Sequence, residues 1–403
     1  MRQTVDSVTR ILRFGGFIAG AALLAACAAP SAPEAPRTTS SGAASQPAQT
    51  EQPAIDPNAP FTVALLAPTS ASGERLSRAA QDIVTAATMA RGDFGDEVTL
   101  KVYDTRGDAA AAAEAAARAL SEGASLILGP VLGASAEAVG PVAAGQGVNV
   151  LSFSNDASVA GDNVWVLGQL PGEELRRVMG YAASQGVTAV GVVYPTNRYG
   201  EAVAAEAAAA GSSVGVSVGP FVPYERSFQG IERATKDGAP SLIGQVDGVL
   251  IADIGDGLRS AASFLAYYDV SRRNVRYMGT SRWADPKNTK EQALEGGWFA
   301  MADRDARASF DQRFRNQMGR APSSLAALGY DAVAAASALA QEAKSTGQPI
   351  DAVAVTNPRG FDGAAGRFVL TSDGLNRRGL AVMEVTGDGF VTLDPAPASP
   401  GGV

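Results

Sequence analysis

Beyond residue 60 the chain alternates short apolar runs with longer amphipathic stretches. Residues 61–67 read FTVALLA, an unbroken apolar run of strand length, as expected for a strand covered on both faces. Over 74–91 the period changes, and Leu76, Ala79, Ala80, Ile83, Ala86 and Ala87 share one helical face. Strands are expected over 98–103, 126–128, 148–153, 189–194, 248–252 and 276–279, and helices over 108–122, 135–145, 173–185 and 258–268. The helix at 108–122 is nearly all Ala, with Glu114 and Arg118 spaced for an i,i+4 pair. Strands alternating with helices imply βαβ units, an α/β fold of parallel sheets flanked by helices. Roughly 335 residues of this pattern exceed one open sheet, so two lobes are expected. Solutes in such sheets bind beyond the carboxyl ends of strands, which directs attention to the loops there.

The first sixty residues follow other rules. Arg2, Arg10 and Arg13 precede the uncharged run FGGFIAGAALLAA at 14–26, a basic n-region and an apolar stretch too short to span a bilayer as a helix. The run ends in Leu24-Ala25-Ala26-Cys27, similar to a bacterial lipobox, so 1–26 is expected to be a lipoprotein signal peptide and Cys27 the lipidated residue. Residues 28–60 hold seven of the 22 prolines and no Val, Leu, Phe, Tyr or Trp. Such a segment cannot bury enough apolar surface to offset its ordering entropy, so a disordered tether is expected, reaching roughly 100 Å if extended.

Composition narrows the chemistry. The chain has no histidine and one cysteine, which removes Ser-His-Asp and Cys-His nucleophiles, HExxH zinc sites, internal disulfides and CxxC pairs. A net charge of -8 argues against a nucleic-acid partner. Asp104, Asp253 and Asp256 stand near strand ends without the spacing of an acid/base dyad. Asp253-x-x-Asp256-Gly257 lacks the twelve-residue calcium pattern, and neither GxxxxGK[ST] nor GxGxxG occurs. No enzyme activity, cofactor or metal is expected.

Three loops carry candidate chemistry. Gly129-Pro130 leads through Gly133 to Ser135 at a helix start, where free N–H groups and the dipole suit a carboxylate; Ser135 is equally a plain N-cap. Ser154-Asn155-Asp156 is an unusually polar strand end, and Thr196-Asn197-Arg198-Tyr199-Gly200-Glu201 follows the strand at 189–194. The order of segments resembles the leucine-binding, type I periplasmic-binding family. The landmarks are LLAPTSASG (65–73), ILGPVLGASAEAVGPVA (127–143), GVNVLSFSND (147–156), VGVVYPTNRYGEA (190–202), DGVLIAD (247–253), YMGTSRW (277–283), EGGWFA (295–300), LGYDAVAAASAL (328–339) and GFDGAAGRFVLTSDGLNRRG (360–379).

The resemblance implies two α/β lobes closing on a ligand, with 61–165 plus 282–360 in the first and 166–281 plus 361–395 in the second. It implies a small-molecule ligand, amino-acid-like or anionic, held through its carboxylate by Gly133, Ser135, Ser154, Asn155 and Asp156, and covered by Tyr199. Two positions depart from amino-acid receptors: Asp253 stands near where a second aromatic is common, and Arg282-Trp283 near where an acid often meets the ligand's ammonium. An arginine there favours an anion; Asp253 could supply the acid from another direction. The implied role is a periplasmic solute receptor for an amino-acid-type ABC importer, partnered by its permease. The stretch 158–186 also resembles lipoproteins that activate penicillin-binding-protein synthases in peptidoglycan synthesis, the alternative partner.

Overall fold

The computed structural model describes residues 61–95, 97–397 and 400. The expected signal peptide, Cys27 and the tether lie outside the described residues. Five parallel strands, β1 (Phe61–Ala67), β2 (Val98–Asp104), β3 (Leu126–Leu128), β4 (Asn149–Ser152) and β5 (Val164–Val166), form a first sheet in the order β2-β1-β3-β4-β5. Helices α1 (Glu74–Phe94), α2 (Ala109–Ser121) and α3 (Gly133–Ala144) connect them. The alanine faces read from the sequence are buried as expected, Ala79, Ala80, Ile83, Ala86 and Ala87 on α1 among them, but Leu76 is only half-buried.

The chain then crosses into α4 (Pro171–Ser184), β6 (Ala189–Pro195), α5 (Arg198–Ser213), β7 (Ser217–Tyr224), α6 (Phe228–Leu242), β8 (Gly248–Ile251), α7 (Gly255–Tyr267), β9 (Arg276–Gly279) and β10 (Trp298–Ala302). It returns through α8 (Arg304–Met318) and α9 (Ala326–Thr346) to a small antiparallel sheet of β11 (Phe361–Gly363), β12 (Gly366–Leu370) and β13 (Asn376–Arg378). A third crossing leads to β14 (Leu380–Thr386) and β15 (Gly389–Asp394), which complete a seven-stranded sheet, β15-β14-β10-β9-β8-β6-β7. Every strand named from the apolar pattern is present to within one residue at each end. The second sheet departs from the all-parallel expectation because β14 runs antiparallel to β10, and β15 to β14.

The division between lobes also differs from the one expected. Trp283 and Leu294 belong to the core of the second lobe, and β10 pairs with β9 and β14 there. Residues 282–302 therefore lie with the second sheet, and the chain rejoins the first lobe at α8, whose Phe310 and Phe314 pack beside Tyr330. Conversely, Phe361, Phe368 and Leu370 of β11 and β12 are first-lobe core. Shape decides the first case: the Trp283 ring fills a slot against Gly279, where a Cβ would come within 2.1 Å of it.

The crossing segments are clasped by polar side chains. Asn376 Nδ2 donates to the carbonyls of Val166 and Gly168, both at 2.8 Å. Arg378 donates to Leu167 O at 3.2 Å and to Asp331 Oδ2 at 2.6 Å, while Asp331 Oδ1 accepts from Ala364 N at 2.6 Å. Gly168 lies so close to the loop after β4 that a Cβ would fall 2.0 Å from Ser154 O. The Asp331 side chain is 1% exposed, so removing one partner leaves a buried unpaired charge. Asp331→Ala is expected to lower unfolding free energy by about 3–5 kcal/mol in urea titration. The apolar pair Asp331→Leu/Arg378→Met should recover a large part of that loss.

Candidate functional site

A cleft of about 1330 Å³ lies between the lobes, bounded by loops that follow the strands of both sheets. Of the nine residues expected to hold a ligand, Asn155, Tyr199 and Arg282 line it. Arg282 follows β9 in a 3-10 turn, Ser281–Trp283, and is exposed. Its guanidinium lies over the Tyr199 ring, 4.1 Å from the centroid, a cation–π contact that fixes a long side chain without neutralising it. No carboxylate among the described residues lies within ion-pair distance of Arg282, so a salt bridge across the lobe junction is not its role here. The Tyr199 hydroxyl and Thr280 Oγ1 share a hydrogen bond of 2.5 Å, and burial pushes the phenol up to about 12.

The turn carrying Arg282 is held from below by Glu174, in the first turn of α4. Its Oε2 accepts from Ser281 N at 2.9 Å and its Oε1 from Ser281 Oγ at 2.6 Å. Glu174 is 5% exposed, and burial raises its carboxyl to about 7, against which the Ser281 hydrogen bonds and the Arg282 charge act more weakly. Nothing in the sequence marks this residue, since an acid in a first helical turn is ordinary dipole chemistry.

The first-lobe loops are arranged differently from the expected carboxylate cradle. Ser135 is buried on α3. Ser154 Oγ accepts from Asp156 N at 3.0 Å, an internal turn. A Cβ on Gly133 would lie 3.3 Å from Asp156 Oδ2 and 3.5 Å from Ser154 Oγ, so this loop folds onto the start of α3. The protein's own carboxylate therefore stands at the helix N-terminus reserved in the expectation for the solute. Asp156 also accepts from Ser158 Oγ at 2.6 Å and Ser158 N at 3.0 Å, and meets Arg198 of the second lobe at 3.3 Å. Ser158 first, with Arg198, holds its carboxyl below the usual range. Of the neighbours of these residues, Leu132 and the exposed Asn155 line the cleft, together with the largely buried Phe153.

Two further expectations are corrected. Asp253 does not offer a free acid: its side chain is 1% exposed and accepts from Tyr224 OH at 2.6 Å, Arg226 Nε at 2.9 Å and Ile254 N at 2.7 Å. Trp283 points into the second-lobe core and donates Nε1–H to Ile251 O at 3.2 Å. In both cases burial consumes the group that would have met a ligand.

A profile described as periplasmic binding protein matches residues 60–389, and the chain belongs to that family. A comparison with functionally curated proteins returned no sequence match. Among solved structures, a Rhodospirillum rubrum protein described as a branched-chain amino acid ABC transporter is 19% identical with a TM-score of 0.70, covering 83% of this chain and 100% of that one. The leucine-, isoleucine-, valine-, threonine- and alanine-binding protein of Brucella ovis, in a closed conformation, is 16% identical with a TM-score of 0.63, covering 83% and 95%. An ABC transporter solute-binding protein of R. palustris, in complex with benzoate, is 18% identical with a TM-score of 0.56, covering 85% and 97%. At these identities the likeness is one of fold, the two-lobed type I periplasmic-binding architecture.

The raised Glu174 carboxyl has a signed consequence. Between its ordinary value of 4.5 and about 7 the folded state keeps a proton that the unfolded chain has released, so this group's contribution to stability falls as pH rises through that window. Glu174→Gln removes the dependence. The stability difference between wild type and variant should shift by on the order of 3 kcal/mol between about pH 4.5 and 8, measured by urea unfolding across pH. Parallel stability–pH curves for the two proteins would contradict the assignment.

Proposed function

We propose that this chain is an extracytoplasmic solute receptor, closing its two lobes on a small carboxylate-bearing molecule and delivering it to the permease of an amino-acid-type ABC importer. The observation that carries the proposal is Arg282, exposed in the cleft, aligned over Tyr199 and without a carboxylate partner among the described residues. An arginine so placed gives charge-assisted hydrogen bonds to a carboxylate, with Tyr199 and Asn155 beside it. The importer assignment is supported by family membership and by the transport roles attributed to the R. rubrum and R. palustris proteins. The benzoate bound to the latter shows that the fold accepts acids as well as the amino acids of the Brucella protein. The receptor acts by binding and needs no cofactor or catalytic group. It is held at the periplasmic face of a membrane by lipid on Cys27, the segment 28–60 serving as tether.

Arg282→Gln is the direct test. A ligand at a hundredfold excess over Kd stabilises the wild type by about 2.7 kcal/mol, and this gain should vanish in the variant while its unliganded melting temperature stays unchanged. Small-angle scattering should show compaction of the wild type only. If amino acids, organic acids and muropeptides all fail to stabilise the wild type, the receptor role is overturned in favour of a cell-wall synthase activator. Intact mass of membrane-extracted protein, with or without acyl chains, decides the anchor.

A further inference from the structure

Helix α8 carries different chemistry on different sides. Phe310 and Phe314 are buried in the first-lobe core, while Arg304, Arg307, Ala308, Asp311 and Arg315 line the cleft. A helical period of about 3.6 residues places these five in one stripe. Arg304 and Arg315, at its two ends, are three turns apart, about 16 Å at a rise of about 1.5 Å per residue. Both are exposed, and neither has a carboxylate within ion-pair distance among the described residues; Arg315 donates to Gln312 Oε1 at 3.4 Å. Between them Asp311 pairs with Arg307 at 3.2 Å. The stripe therefore offers two open cations at a spacing fixed by the helix, on a chain whose net charge is -8.

A small solute cannot meet both ends of the stripe at once, whereas an extended chain can. Five residues of extended polypeptide span about 16 Å at about 3.3 Å each, so acids at positions i and i+5 match the two arginines. The acids of the cleft select among extended anions. Asp311 sits within the stripe, and Asp285, which accepts from Lys287 N at 2.9 Å, has no cation within ion-pair distance among the described residues. A nucleic acid or a polyphosphate carries charge at every unit and would set phosphates against these carboxylates. A polypeptide carries its acids at intervals. The exposed Asn155, Gln169 and Ser324 also line the cleft, and their side chains suit the N–H and C=O groups of a peptide backbone.

We infer that the α8 stripe is a docking track for an acidic, extended segment of a partner polypeptide, whose carboxylates, about five residues apart, seat on Arg304 and Arg315. The track belongs to the first lobe and does not use Arg282. It goes beyond the solute-receptor reading and stands or falls separately from it.

Two capped, fluorophore-labelled hexapeptides of equal charge test the track. One has glutamates at its ends and four serines between; the other has its glutamates adjacent at the centre. Anisotropy titration with the full chain at low ionic strength should show the first binding about three- to fivefold more tightly, the range of one exposed ion pair, and added salt should erase the difference. Arg304→Gln and Arg315→Gln should each bring the first peptide to the level of the second, with unchanged melting temperatures because both side chains are exposed. Asp311→Asn, which releases Arg307, should tighten both peptides. Arg313→Gln should leave them unchanged, since Arg313 lies half a turn round the helix and pairs with Asp93 at 2.6 Å. Equal affinity for the two peptides, indifference to both arginine substitutions, or no binding of either peptide overturns the inference. Tighter binding of a linear hexaphosphate than of the end-charged peptide overturns the polypeptide assignment in favour of a general polyanion site. Peptide binding should survive Arg282→Gln; its loss there would merge the track with the solute site and overturn their separation.

Discussion

The molecule depends on a polar clasp where its chain passes between lobes. Asn376 and Arg378 reach across to the carbonyls of Val166, Leu167 and Gly168, and Arg378 is in turn neutralised by Asp331 on α9. Val166 ends the edge strand β5 and Leu167 and Gly168 lie beyond it, so their carbonyls take side-chain partners. By doing so the clasp joins two crossing segments to one helix of the first lobe. Asp331 lies on the same helix as Leu328 of the cleft, and Asn376 and Arg378 lie on β13 of the small sheet. A buried ion pair contributes less to net stability than its geometry suggests, because desolvation opposes it, but it tolerates few alternative arrangements. It is suited to holding a junction in register.

The cleft that opens from that junction has a mixed lining. The first lobe brings leucine side chains and the arginines of α8, while the second lobe presents Arg282 on a short turn, with Arg226 also at the cleft. Arg282 is kept in place by contacts that do not cancel its charge: the Tyr199 face on one side and, beneath, the hydrogen bonds from Ser281 to Glu174. Burying Glu174 costs its ionisation, which is why its carboxyl is raised. Asp253, by contrast, is spent on its neighbours Tyr224 and Arg226.

Position along the chain and position in space come apart at several residues. Ser154 and Asp156 sit in a loop at the right end of the right strand, yet Ser154 Oγ accepts from Asp156 N and the Asp156 carboxylate lies beside Gly133 of α3, while the adjacent Asn155 and Leu132 line the cleft. Trp283 follows Arg282 directly, but a 3-10 turn sends the two side chains to opposite sides, one to the core and one to the cleft. Leu76 lies on the face of α1 that periodicity assigns to the core and is left at the cleft edge.

By itself the sequence determined what depends on local pattern. The buried parallel strands, the alanine-faced helices, the βαβ order and the loops beyond the strand ends follow from residue periodicity, because burial on two faces or one selects the period directly. The exclusions that follow from lacking histidine are equally local. Tertiary structure alone decided which lobe claims 282–302 and 361–378, since β10 pairing with β14 and the seating of Trp283 against Gly279 join segments distant in sequence. It also decided which charges remain free. Whether Asp253 or Arg282 can meet a solute depends on whether another side chain reaches it first, and those partners, Tyr224 and Arg226 for one and the Tyr199 ring for the other, come from other elements of the fold.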